Sequence, residues 1–188
     1  MSLKLRLAEH KEAVVRAWFD QSVAIYSDAY AKSLRENADP FANPVGAILK
    51  EGLARLFDAL RDGANRETCR AALGPIVRVR AVQDVLPSQA LAFIPLLKSI
   101  ARQTLREPLQ DAPADEAWLA FDIRIDEATL LAFDLYAECR QKISELGVNE
   151  ARRNVAGLLR VGKGIGPIGP IGPIELCDAS ARAERCGP

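Results

Sequence analysis

The stretch Asn43–Gly63, N-PVGAILKEGLARLFDALRD-G, sets the class of the fold. Asn43 stands where an N-cap is needed, and Pro44 takes the first helical position, where its missing N–H is no loss. Gly63 follows the last turn, where a left-handed residue commonly ends a helix. Between these marks Val45, Ile48, Leu49, Leu53, Leu56, Phe57 and Leu60 recur every three or four residues, so one helical face is apolar. A segment punctuated at both ends and periodic between them predicts a helix packed on other helices.

The same pattern extends in both directions. Toward the N-terminus a helix is predicted from Leu5 to Ser22, with Val14, Val15, Trp18 and Phe19 on or beside one stripe, followed by a short helix from Ile25 to Leu34. Asp39-Pro40 stops the chain in the loop Asn37–Asn43. Toward the C-terminus, Asn65 can cap a helix that carries Leu73, Ile76 and Val77 and must accommodate Gly74-Pro75. A helix opening at Ser88 and running to about Arg106 carries Leu91, Ile94, Leu97 and Ile100, flanked by Phe93 and Leu96. Pro95 inside it removes a backbone bond and crowds the preceding turn, which predicts a kink there.

The longest helix starts near Pro113, with Asp115 and Glu116 where the helix dipole favours negative charge. Trp118, Phe121, Ile125, Ala128, Ala132, Leu135 and Cys139 continue the period toward Leu146. About 32 residues of helix would extend roughly 48 Å, which suits either the central element of a bundle or one half of a dimer interface. Trp118, Ile125, Ala132 and Cys139 are the expected dimer contacts. A last helix, Asn149–Arg160, either stands alone or continues the long one past Gly147. No alternating run of β-branched and aromatic residues bounded by hairpin turns is found. The expected fold class is all-α.

At 188 residues the chain is long enough to bury a full core, and 25 basic residues balance 25 acidic ones. No net field draws it toward nucleic acid or anionic lipid. No apolar run reaches the roughly 20 residues of a membrane span, and Met1–His10 has no signal-peptide pattern. These features predict a cytoplasmic protein without direct membrane insertion. Cys69, Cys139, Cys177 and Cys186 are irregularly spaced and contain no C-x-x-C pair, which predicts free thiols.

From Gly162 the composition changes. The repeat GIGPIGPIGPI, residues 164–174, alternates Gly and Pro too closely for helix or sheet. Polyproline II has about three residues per turn, so Ile165, Ile168, Ile171 and Ile174 would form an apolar ridge roughly 28 Å long. Pro167, Pro170 and Pro173 would hold it extended. The expected organisation is a helical domain over residues 1–161 and an extended tail over 162–188 whose ridge docks to a partner.

Catalytic constellations are hard to assemble. His10 is the sole histidine and borders the apolar face of the first helix, so it reads as a satisfied or surface residue. One histidine cannot supply a di-iron bundle site, a zinc hydrolase motif, or the base for a Ser or Cys nucleophile. No histidine late in the chain can ligate haem. Asp122 and Asp126 lie one turn apart and could do acid–base work if buried beside a substrate, but a solvated or salt-bridged face is the simpler reading. Arg152 and Arg153 read as solvated helix surface. No cofactor, metal or enzymatic activity is expected.

Two stretches carry a family resemblance. They are RAVQDVLPSQALAFIPLLK over residues 80–98 and RIDEATLLAFDLYAECR over residues 124–140, the latter running on to VNEARR at 148–153. Together with Trp18 and the segment Glu51–Gly63 they resemble the N-terminal domain of RsbRD-type RsbT co-antagonists, over roughly residues 8–155. The resemblance implies a globin-like, non-haem helical bundle, commonly a homodimer, acting as a sensory or interaction module in a bacterial stress-signalling complex. In that family the module commonly precedes a STAS domain, and the 27 residues after Val161 are too few for one. Stand-alone relatives near genes for membrane redox complexes imply an accessory role as well. The expected function is therefore a non-enzymatic module whose protein partner is a signalling or membrane-associated redox complex. The alternative is a small-molecule sensor with a pocket shaped by Pro95 and Gly74-Pro75.

Overall fold

The computed structural model describes residues 2–37, 39–83, 85–106 and 116–161, with side chains to Arg153. Among them are eight α-helices and no strand: α1 (Leu3–Glu9), α2 (Lys11–Ser22), α3 (Asp28–Glu36), α4 (Pro44–Asp62), α5 (Arg66–Ala81), α6 (Pro87–Leu91), α7 (Phe93–Thr104) and α8 (Glu116–Val161). The all-α class is as the periodicity predicts. The chain divides into a compact unit over residues 1–147 and a second over residues 148–188. The Gly-Pro-Ile ridge falls outside the described residues.

Asn43 does more than cap. Its Oδ1 accepts from the Gly46 N–H at 2.9 Å, while its Nδ2 donates to the carbonyls of Leu34 at 3.1 Å and Asn37 at 2.9 Å. One buried amide thus fixes both the exit of α3 and the entry of α4, which explains an asparagine where serine or aspartate could also cap. At the other end of α4, Gly63 adopts φ 69° and ψ 40°, the left-handed conformation glycine enters without penalty. Asn65 Oδ1 accepts from the Thr68 N–H at 2.9 Å and starts α5 immediately, so α4 and α5 form a tight helical hairpin.

Several boundaries differ from the sequence reading. The first predicted helix is two, because His10 breaks the run at φ −99° and ψ 11°. No proline or glycine marks that break. The helix expected from Ser88 is also two, and the interruption is at Ala92 rather than a kink at Pro95. Pro95 is the third residue of α7, inside the first turn, where a backbone N–H has no intrahelical partner to lose. Pro75, in contrast, lies within an unbroken α5. Proline crowds the Cβ of a helical residue before it, and Gly74 has none. Finally, α8 runs through Gly147 without a stop.

A single core cluster draws on every helix, from Leu3 and Leu7 in α1 to Leu135 and Tyr136 in α8. Helix α2 packs against both α4 and α7, and α4 against α5. Trp18 lies at the centre, fully buried, its Nε1–H donating to the Phe93 carbonyl at 2.6 Å.

Replacing Asn43 with aspartate keeps the cap acceptor but removes two donors and faces a carboxylate toward two carbonyls. Chemical denaturation is expected to show a loss of about 2–4 kcal/mol; a loss below about 0.5 kcal/mol would contradict the bridging role.

Candidate functional site

Helix α8 is held by ion pairs on both flanks. On the α5 side Arg66 meets Asp134 at 3.0 Å and Arg70 meets Glu138 at 2.8 Å. On the α7 side Lys98 meets Asp126 at 2.7 Å, and Arg102 reaches both oxygens of Asp122 at 3.1 and 2.5 Å. The pairings ascend together along α5 and in opposite order along α7, so α8 runs parallel to the first and antiparallel to the second. Asp122 and Asp126 are therefore each committed to a separate cation. The more exposed of these pairs contribute about 0–1 kcal/mol each; together the four fix the rotation of α8 about its axis.

That rotation decides which residues face inward. Phe121, Ile125, Ala128, Ala132, Leu135 and Tyr136 are buried in the core. Of the four residues expected to bind a second copy, Ile125 and Ala132 are at 0 % exposure within this bundle, so their side chains are already occupied. Trp118 is half-buried, edge-on to Phe121 and beneath the Arg102 guanidinium at 4.7 Å. Cys139 is a free thiol packed against the core. All four lie on the inward side, because the strongest helical period in the sequence marks the face its own domain buries.

The opposite side of α8 is also apolar. Leu119, Ile123, Leu130 and Phe133 are 55, 47, 69 and 57 % exposed, and Ala137 is exposed with them. At 100° per residue these five fall within about 80° of one another on the helix, facing away from the core stripe. Only Asp126, paired with Lys98, interrupts them. The signal was present in the sequence at intervals of four, seven, three and four, but it was overshadowed by the inward stripe.

Two further features stand out, one in the interior and one opening to the surface. Arg80 is 1 % exposed and has no carboxylate partner among the described residues. Its Nη2 donates to the Ser22 carbonyl at 2.6 Å, and its guanidinium lies 5.0 Å from the Tyr26 ring and 5.7 Å from that of Phe93. Burial pushes its pKa down, and the negative end of α2 offsets part of that cost. Arg80 follows Leu73, Ile76 and Val77 at helical spacing, a signal from which its burial could have been read. The second feature is a cavity of about 290 Å³ between the end of α4, the start of α5 and α8. Leu60, Cys69, Ala128 and Leu131 line its buried part, while Arg124 and Glu127 supply charge. Burial, and secondarily Glu127, raises the pKa of the Cys69 thiol.

The pocket expected at Pro95 and Gly74-Pro75 has a different form. Pro95 is exposed, and Gly74 and Pro75 border a cleft of about 330 Å³ walled by Arg70, Arg78, Glu138 and Lys142. His10 is exposed at the α1–α2 junction. No helix of the described residues is long and apolar enough to cross a membrane.

The profile of one protein family, the RsbT co-antagonist protein rsbRD N-terminal domain, matches residues 12–156. No curated protein and no solved structure matches the chain.

The two carboxylates on α8 are expected to differ in worth. Asp122→Asn, at the more buried and two-pronged pair, should cost about 1–2 kcal/mol, and Asp126→Asn about 0–1 kcal/mol. Double-mutant cycles with Arg102 and Lys98 check the order, and equal coupling energies would contradict it.

Proposed function

The chain belongs to the RsbRD N-terminal domain family, associated with stress-signalling regulation, and from that premise we propose that it is a non-enzymatic regulatory or accessory module acting through protein contacts. The observation that carries this reading is the outward stripe Leu119, Ile123, Leu130 and Phe133, on a helix whose other face is already in the core. Contiguous exposed apolar surface of this kind marks interaction sites. The first contact is with a second copy. A nearly uncharged apolar stripe is complementary to itself, and a twofold pairing sets it against the same stripe of the partner. In this reading the bundle is the globin-like, non-haem module that the resemblance implies. Trp118, Ile125, Ala132 and Cys139 seat α8, and the outward residues make the dimer.

The second contact is through the tail. Ile165, Ile168, Ile171 and Ile174, spaced by Pro167, Pro170 and Pro173, form a ridge that docks into a groove of a signalling or membrane-associated redox complex. The support is the three-residue repeat, which matches the polyproline II turn. A second reading, a small-molecule sensor, is supported by the cavity bordered by Arg124 and Glu127.

Light scattering at micromolar concentration should give twice the 20.5 kDa protomer mass. Phe133→Glu should return it to the protomer mass with helicity unchanged. A protomer mass for the unaltered chain would refute the dimer.

Capture from native lysate should recover the partner complex with the full chain and lose it after truncation at Val161. Equal recovery by both would move the contact to the helical body.

A further inference from the structure

The cavity between α4, α5 and α8 has the donor set of a ligand site. Its buried walls, Leu60, Cys69, Ala128 and Leu131, are apolar apart from the thiol. At about 290 Å³ it lies at the lower end of the roughly 300–1,000 Å³ of typical ligand pockets, which suits a molecule of a few heavy atoms.

Arg124 differs from the arginines around it. Arg66, Arg70 and Arg102 each hold a carboxylate. The Arg124 side chain has no hydrogen-bond or ion-pair partner among the described residues, and its Nε is shut away from solvent with no acceptor. Its contacts are the Phe121 ring at 6.0 Å and the backbone at Gly63, where a Cβ would lie 3.0 Å from Nη1. Gly63, held in the left-handed region, thus leaves room for the guanidinium. A guanidinium with an unpaired N–H is costly to bury, and a carboxylate beside it offsets part of that cost. Glu127, on the same wall, has no cation partner among the described residues. Both Glu127 and the Cys69 thiol border the cavity. Arg66 also borders the cavity but is neutralised by Asp134.

We propose that this cavity binds a small zwitterion, a free α-amino acid with a compact apolar side chain, its carboxylate on Arg124, its ammonium on Glu127 and its side chain against Leu60, Ala128 and Leu131. A simple anion would face repulsion from the Glu127 carboxylate with nothing to offset it, and a simple amine would leave Arg124 without an acceptor. The proposal rests on the sensor reading; Leu130 of the outward stripe also borders the cavity, whereas Phe133 does not, so Phe133→Glu tests the dimer without altering the cavity lining.

Titration calorimetry and thermal melting of the full chain test it with glycine, alanine, valine and leucine. Two control probes are 4-methylpentanoate, which lacks the amine, and 3-methylbutylamine, which lacks the carboxylate. At least one amino acid should bind and raise Tm, while the controls bind about tenfold more weakly or worse. Arg124→Gln and Glu127→Gln should each weaken amino-acid binding by about tenfold. Glu127 is exposed, so its variant keeps the fold even if Arg124→Gln does not. If 4-methylpentanoate binds as tightly as leucine, the zwitterion is refuted while the sensor reading survives. Binding by none of the probes, or undiminished binding by Glu127→Gln, overturns the proposal.

Discussion

At Gly52 the backbone of α4 comes so close to α5 that a Cβ there would lie 2.6 Å from Ile76 Cγ1 and 3.4 Å from the Ala72 carbonyl oxygen. Ile76 is fully buried, so neither side can give way without disturbing the core. The missing methyl group at Gly52 sets how near α4 and α5 approach, and the rest of the bundle is laid on that pair. Helix α2 packs on α4, and α8 takes its position partly from Arg66 and Arg70 on α5. Both helices are short of alternatives, because Gly63 and Asn65 join them through a turn with almost no slack.

Arg80 is the counterpart of that constraint on the far end of α5. Burying a cation is costly, and among the described residues the cost is spread over a helix-end carbonyl and two aromatic rings. Ser22 belongs to α2, and Phe93 opens α7. The Phe93 carbonyl in turn accepts from Trp18. One guanidinium and one indole therefore define where α2, α5 and α7 meet, with directional bonds in a region otherwise held by apolar packing.

The sequence made the helical class plain because the Asn43-Pro44…Gly63 segment carries both of its own boundaries. It was less informative wherever a boundary depends on tertiary contact. His10 breaks a run of good helix formers, and Ala92 breaks a run in which Pro95 looks the stronger candidate, so local propensity pointed elsewhere in both cases. The inward and outward stripes of α8 illustrate a different limit. Periodicity shows that a face is apolar, yet it cannot say which of two apolar faces the domain itself will bury. The cavity was not legible at all, since Leu60, Cys69 and Arg124 meet only once three helices are assembled. The Gly-Pro-Ile segment was legible only as a repeat.

The placement of the two tryptophans gives the molecule a pair of separable optical probes. Trp18 is sealed in the core with its N–H bonded to a carbonyl, so its emission reports the apolar interior and shifts to longer wavelength when the bundle opens. Trp118 is half-buried under the Arg102 guanidinium near the start of α8, so its quenching follows how that helix is seated. Excited together, they distinguish a change at the α8 surface from a loosening of the whole fold without any label being attached.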